Sequence, residues 1–157
     1  MKGNEAMDKD LADNRIPIVG AWKLVSFESR KDNGDVTYPF GQDAQGSIIY
    51  TATGRFAVQL LRGARPRFVS ADQMKGTAEE IKAGFEGCIA YYGSYEFHPE
   101  AGCVVHHVER SLFPNWEGQD LKRFVELAGD RLQLRTPPTV WGGGGAIVGV
   151  LEWERNG

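Results

Sequence analysis

"CIAYYGSYEFHPEAGCVVHHVERSLF", residues 88–113, is the stretch whose reading decides the fold. Two runs of aromatic and β-branched residues, "YYGSYEF" and "CVVHHVERS", flank "HPEAG", and such runs joined by Pro and Gly read as an antiparallel hairpin. With Pro99 to Gly102 as a four-residue loop, Phe97 falls opposite Val104, Tyr95 opposite His106, Gly93 opposite Val108 and Tyr91 opposite Arg110. Alternate residues of a strand share a face. The face with Tyr91, Tyr95, His106 and Arg110 is the more apolar and aromatic one, so it is assigned to the interior, where Gly93 leaves space. The other face carries Tyr92, Ser94, Glu96, His107 and Glu109. His106 and His107 are adjacent and therefore point to opposite sides, which argues against one metal shared by the pair.

The same pattern recurs outward in both directions. "IVGAWKLVSFE" is a strand, with Trp22, Leu24 and Ser26 on one face and Val25 and Phe27 on the other, and "NGD" (33–35) ends it. "VTYPFG" is a weak extended piece that Pro39 confines to an edge or loop. "SIIYT" and "RFAVQLL" flank "ATG" as a hairpin, with Gly54 at the turn; Phe56, Val58 and Leu60 share one face. "LKRFVELAG", "DRLQLRTPP" and "GAIVGVLEWER" continue the series, the last after the glycine run 142–145. The interruption at about 70–87 reads as one short helical insertion. Thr77 with Glu80 matches a capping box, Gly87 is a natural stop, and Ile81 and Phe85 are expected to face the body. Ser70 with Gln73 suits an earlier turn.

About eight strands in a meander most simply close into an up-and-down barrel, which removes exposed sheet edges. A barrel of about eight strands is just wide enough to be filled by side chains or to hold one small ligand. The predicted class is all-β, with residues 17–157 as one barrel domain and residues 1–16 as a disordered or short polar tail.

Composition agrees. The chain has 157 residues, 41% hydrophobic and 25% charged, which suits one globular domain with a real core. Its net charge of −3 gives no electrostatic support for nucleic-acid binding. No run approaches the about 20 apolar residues of a membrane span, and "MKGNEAMDKDLADNR" lacks the apolar segment of a secretory signal, so a cytoplasmic location is expected. The two cysteines, Cys88 and Cys103, make no CxxC motif and are read as reduced thiols. No GxSxG or P-loop is present, and "GGGGAIVG" precedes a strand rather than a helix, so it lacks phosphate-binding geometry. No metal ligand set and no cofactor are expected.

Three features resemble one family. "GAW" (20–22) is similar to the Gly-x-Trp of the lipocalins. "LEWER" places Arg155 late in the barrel, where lipocalins pack an arginine across that tryptophan. "GRFAVQL", "YYGSYEF", "HHVERSLFPNWEG" and "RFVELAGDRLQLRTPP" resemble, in order, the small lipocalin-like domain family of bacteria and fungi. The resemblance covers residues 18 to 155. It implies a calycin-type barrel that binds hydrophobic small molecules; some barrels of similar shape are cofactor-free cyclases or isomerases. Relatives often have a small residue where Arg110 stands, which would make Arg110 peculiar to this protein's ligand.

Two functions follow. In the first, a binder holds a small, largely apolar molecule whose polar end is fixed by Tyr91, Tyr95, His106 and Arg110. In the second, a metal-free isomerase, cyclase or lyase uses His106 as general acid/base, with Tyr95 or Arg110 stabilising an enolate-like oxyanion. A solidly packed barrel is the bland alternative. Arg123 alternates with Val125 in "KRFVEL" and is a further pocket candidate. Phe56 and Val58 supply apolar wall. Trp116 and Trp141 sit in loops as rim or lid residues. His107 belongs with Glu109 on the outer face, and contacts ligand only if that face is the inner one. The partner implied is a small hydrophobic or amphipathic ligand or substrate, neither nucleic acid nor membrane, with homodimerisation left open.

Overall fold

A computed structural model describes residues 17–157. The polar segment 1–16, expected to be a tail, lies outside the described residues. Ten strands follow one another: β1 (Gly20–Arg30), β2 (Val36–Thr37), β3 (Gln45–Tyr50), β4 (Arg55–Leu61), β5 (Cys88–His98), β6 (Cys103–Ser111), β7 (Asp120–Ala128), β8 (Arg131–Arg135), β9 (Thr139–Val140) and β10 (Ala146–Arg155). Eight of them form an antiparallel ring in the order β1-β3-β4-β5-β6-β7-β8-β10, and β10 pairs back onto β1. The two-residue β2 and β9 are short additions to β1 and β10. The expected all-β, up-and-down barrel is therefore what the chain forms.

Inward positions follow the period of two. On β4, Phe56, Val58 and Leu60 are buried while Arg55, Ala57 and Gln59 are exposed. Trp22, fully buried, sits where β1 meets β3 and β10. Its indole donates to the Ile18 carbonyl at 2.9 Å, and the Arg155 guanidinium lies 4.3 Å from its ring centre. Arg155 also donates to the Val19 and Pro17 carbonyls, so one side chain ties the last strand to the entry of the first.

Two β-bulges change faces that simple alternation predicts. In β1 the register with β10 slips between Leu24 and Ser26. The buried set therefore passes from Trp22 and Leu24 to Phe27 and Ser29, with Val25 exposed. Phe27, expected on the face opposite Trp22, joins the core. The second bulge lies in β5–β6. The hairpin pairs as expected from His98–Cys103 up to Gly93–Val108, around the loop in which Gly102 takes φ +62°. It then slips, so that Tyr92 meets Arg110 and Tyr91 meets Ser111. A bulge places two residues against one and re-aims those beyond it. Gly93 does not leave space: a Cβ there would overlap the His107 carbonyl oxygen, so the backbone of β6 already occupies it.

The helical insertion is shorter than expected. α1 spans Ala78–Glu86, with the Thr77–Glu80 capping box formed in both directions and Gly87 at its end. Residues 70–76 are turns, in which Asp72 N–H donates to Ser70 Oγ at 3.0 Å. No residue of α1 is buried. Ile81 and Phe85 are about half exposed rather than packed on the body. No helix among the described residues is long and apolar enough to cross a membrane.

Candidate functional site: an aromatic cavity in the barrel

The barrel encloses a cavity of about 380 Å³, within the range of small-molecule sites. Its depth is aliphatic, with Ile48, Val58, Leu60 and Leu134 from three strands. Two aromatic groups flank its upper part. On one side Trp116, in the turn after β6, meets Tyr91 edge-on at 5.6 Å and Phe113 at 5.4 Å. On the other, Trp141, in the loop after β9, packs 5.9 Å from Phe27, which in turn meets Phe40. Trp116 and Trp141, read from the sequence as rim residues, both line the cavity.

The polar element of the wall is a chain of rings centred on His106. Tyr50 Oη lies 2.7 Å from His106 Nε2, and Tyr91 Oη lies 3.3 Å from Nδ1. Phe56 stacks on the imidazole at 4.3 Å. Burial, aided by the positive charges of Arg123 and His107, holds the His106 pKa well below its ordinary 6.5, so the ring is neutral. A neutral imidazole has one donor and one acceptor nitrogen. Tyr50 is 1% exposed, and its hydroxyl is hydrogen-bonded to His106. If Nε2 carried the proton, the Tyr50 oxygen would accept it and the Tyr50 hydroxyl hydrogen would be left buried, whereas the Tyr91 hydroxyl faces the cavity. Nε2 therefore accepts from Tyr50, Nδ1 carries the hydrogen and donates to Tyr91, and the Tyr91 hydroxyl keeps its own hydrogen for the cavity. Burial likewise drives the Tyr50 pKa well above 10.0, so the phenol at the back of the chain stays protonated.

Arg123 completes the wall. It projects inward from β7, half-buried, near enough to disfavour the charged imidazole of His106 and to favour the phenolate of Tyr50. Its guanidinium donates to the Lys122 carbonyl at 2.9 Å and meets no carboxylate among the described residues. Trp153, also in the wall, has a buried indole N–H with no hydrogen-bond partner among the described residues. Asp120 at the mouth is engaged from outside by His107 Nδ1 at 2.6 Å.

Of the residues anticipated from sequence, the structure brings together Tyr91, His106, Arg123, Trp116 and Val58 around one cavity. Phe56 stands behind His106. Tyr95 is buried on the inner side, but its hydroxyl donates to the Thr51 carbonyl at 2.7 Å and it does not line the cavity. Arg110, expected inside, is outside. The bulge at Tyr92–Gly93 turns it outward, its side chain is 71% exposed, and it pairs with Glu117 at 3.3 Å. His107 is on the outer face as its alternation requires, held by Asp120 and Glu96 rather than Glu109, and the Asp120 hydrogen bond chiefly raises its pKa. Glu109 pairs instead with Arg55. Sequence reasoning missed Tyr50 and Phe27. Tyr50 had a usable signal, since it lies directly across from Phe56 in the β3–β4 hairpin. Phe27 had none, because a bulge moves it.

A lipocalin-like domain model matches residues 19–156, nearly the whole described chain. The chain belongs to the lipocalin-like domain family. Among curated relatives, a 4'-hydroxy-3'-methoxypropiophenone carrier protein of Aspergillus oryzae is 31% identical over 86 residues, 51% of this chain and 78% of the relative. Membership and a relative named as a carrier both support small-molecule binding in general.

Proposed function

We propose that this protein is a carrier that holds a small, mostly aromatic molecule in the barrel cavity, with the polar end fixed by Tyr91 and Arg123. The observation that carries the reading is an apolar cavity flanked by edge-on and tilted aromatic pairs, into which one phenol hydroxyl and one half-buried guanidinium are brought. Aromatic rings bind well between edge-on and offset ring partners, and a few placed polar groups set their orientation. The propiophenone carried by the fungal relative is an aryl ketone, and its ring and polar substituents match the two parts of this cavity.

The acid/base alternative has less support. Both ring nitrogens of His106 are engaged by tyrosines, and burial keeps the ring neutral. A general base needs a free nitrogen within reach of the substrate proton. His106 instead orients Tyr91. Native mass spectrometry of the protein incubated with 4'-hydroxy-3'-methoxypropiophenone tests the carrier reading. A retained one-to-one adduct of unchanged ligand mass is expected. Absence of any adduct, or appearance of a product of altered mass, counts against it.

A further inference from the structure

We infer that the cavity selects an aromatic oxyanion, a phenolate or an aryl carboxylate, over the neutral form of the same molecule. This rests on the carrier reading and specifies the polar end of the ligand. The wall offers hydrogens and positive charge, and little that accepts. Tyr91 is committed as a donor, because its oxygen takes the Nδ1 hydrogen of His106. The Trp153 indole can only donate, and it has no partner among the described residues. Arg123 can only donate and carries a full charge.

Two acceptor side chains of the wall each already take a hydrogen bond. Thr136 Oγ1 accepts from Gly149 N–H at 2.9 Å, and the Asp120 carboxylate takes His107. Lys122, next to Arg123 on β7, sends its ammonium the other way, 5.0 Å from the ring centre of Phe124, which is not part of the wall. A half-buried guanidinium without a carboxylate is costly unless something negative completes it. A ligand oxyanion at that point accepts from Tyr91 and Arg123 together and neutralises the charge. A neutral ether or phenol can accept, but leaves the charge uncompensated. The groups that face this position are Tyr91 from β5, His106 from β6, Asp120 and Arg123 from β7, and, behind His106, Tyr50 from β3. Of these, burial keeps Tyr50 protonated and His106 neutral, and Asp120 is bound by His107, so Arg123 is the cation aimed at this position.

Three nitroaromatic probes of similar shape test the point: 4-nitrophenol, 4-nitrobenzoate and 4-nitroanisole. Each quenches tryptophan, and the phenolate has its own visible absorbance. The titration midpoint of 4-nitrophenol is expected to fall by about one pH unit on binding, which corresponds to an about tenfold preference for the anion. At alkaline pH at least one of the two oxyanions binds about tenfold or more tighter than 4-nitroanisole, and the tighter one identifies the source of the charge. Arg123→Gln abolishes the shift, whereas Arg123→Lys keeps part of it. An unchanged or raised midpoint, or 4-nitroanisole binding as tightly as both anions, overturns the inference and leaves the carrier reading intact. If none of the three probes gives saturable quenching, the carrier reading itself fails.

Discussion

His106 is the residue on which the site turns. As a sequence feature it invites a metal or an acid/base role. In the barrel it is a neutral connector between two phenols, kept so first by burial and then by the Arg123 charge. That has a consequence for stability. Below pH 6.5 the imidazole of the unfolded chain takes up a proton, while the folded one does not until a lower pH. The unfolded state then binds more protons, so stability is full above 6.5 and falls as pH drops through the window beneath it, by at most about 1.4 kcal/mol per pH unit. Urea unfolding of the wild type and His106→Gln between about pH 7.5 and about pH 5 measures this. The gap between the two proteins is expected to be constant at the upper end and to shrink on acidification. His107, whose pKa is raised, contributes with the opposite sign but is present in both, so it cancels. Parallel curves throughout would remove the account of His106.

At the level of elements, the bulges decide which residues reach the cavity. Gly93 sits where β6 backbone comes too close for a side chain, and the obstructing atom is a carbonyl that cannot swing away. Gly93→Ala should cost about 1–3 kcal/mol. Gly84→Ala on α1, where a Cβ meets nothing within 4 Å, should instead be neutral or gain about 0.5–1 kcal/mol. Thermal melts of the two variants check the contrast, and equal losses would contradict it. The same bulge shows what could be read from sequence. Strand number, the Pro99–Gly102 loop, and the pairing of Tyr95 with His106 were legible, because they rest on local alternation and turn residues. The slip after Gly93 was not, because it depends on how two backbones approach, and so Arg110 was assigned to the wrong side. Arg123 on β7 has no bulge between it and the core, and simple alternation placed it well. The capping box at Thr77 was readable from four residues, but the exposure of Ile81 and Phe85 depends on where the helix lies against the barrel.

For the whole molecule, closure is what makes a cavity. β10 pairs with β1 along most of both strands, and Arg155 clamps that seam over Trp22. The closed ring then leaves about 380 Å³ unfilled, so the interior is a container rather than a packed core. The central claim is that ligand enters this space. Val58 faces it from β4, deep in the wall and 4% exposed. Enlarging that side chain should fill the cavity from the β4 wall, beside Tyr91, its direct cross-strand neighbour. The most direct measurement is a tryptophan-fluorescence titration of wild type and Val58→Phe with 4'-hydroxy-3'-methoxypropiophenone, with circular dichroism confirming that both are folded. Trp116, Trp141 and Trp153 all line the cavity and serve as reporters. Saturable one-to-one quenching in the wild type, weakened at least about tenfold in Val58→Phe, is the predicted result, equivalent to about 1.4 kcal/mol of binding free energy. Equal affinity in the two proteins would place the ligand outside the barrel and contradict the account.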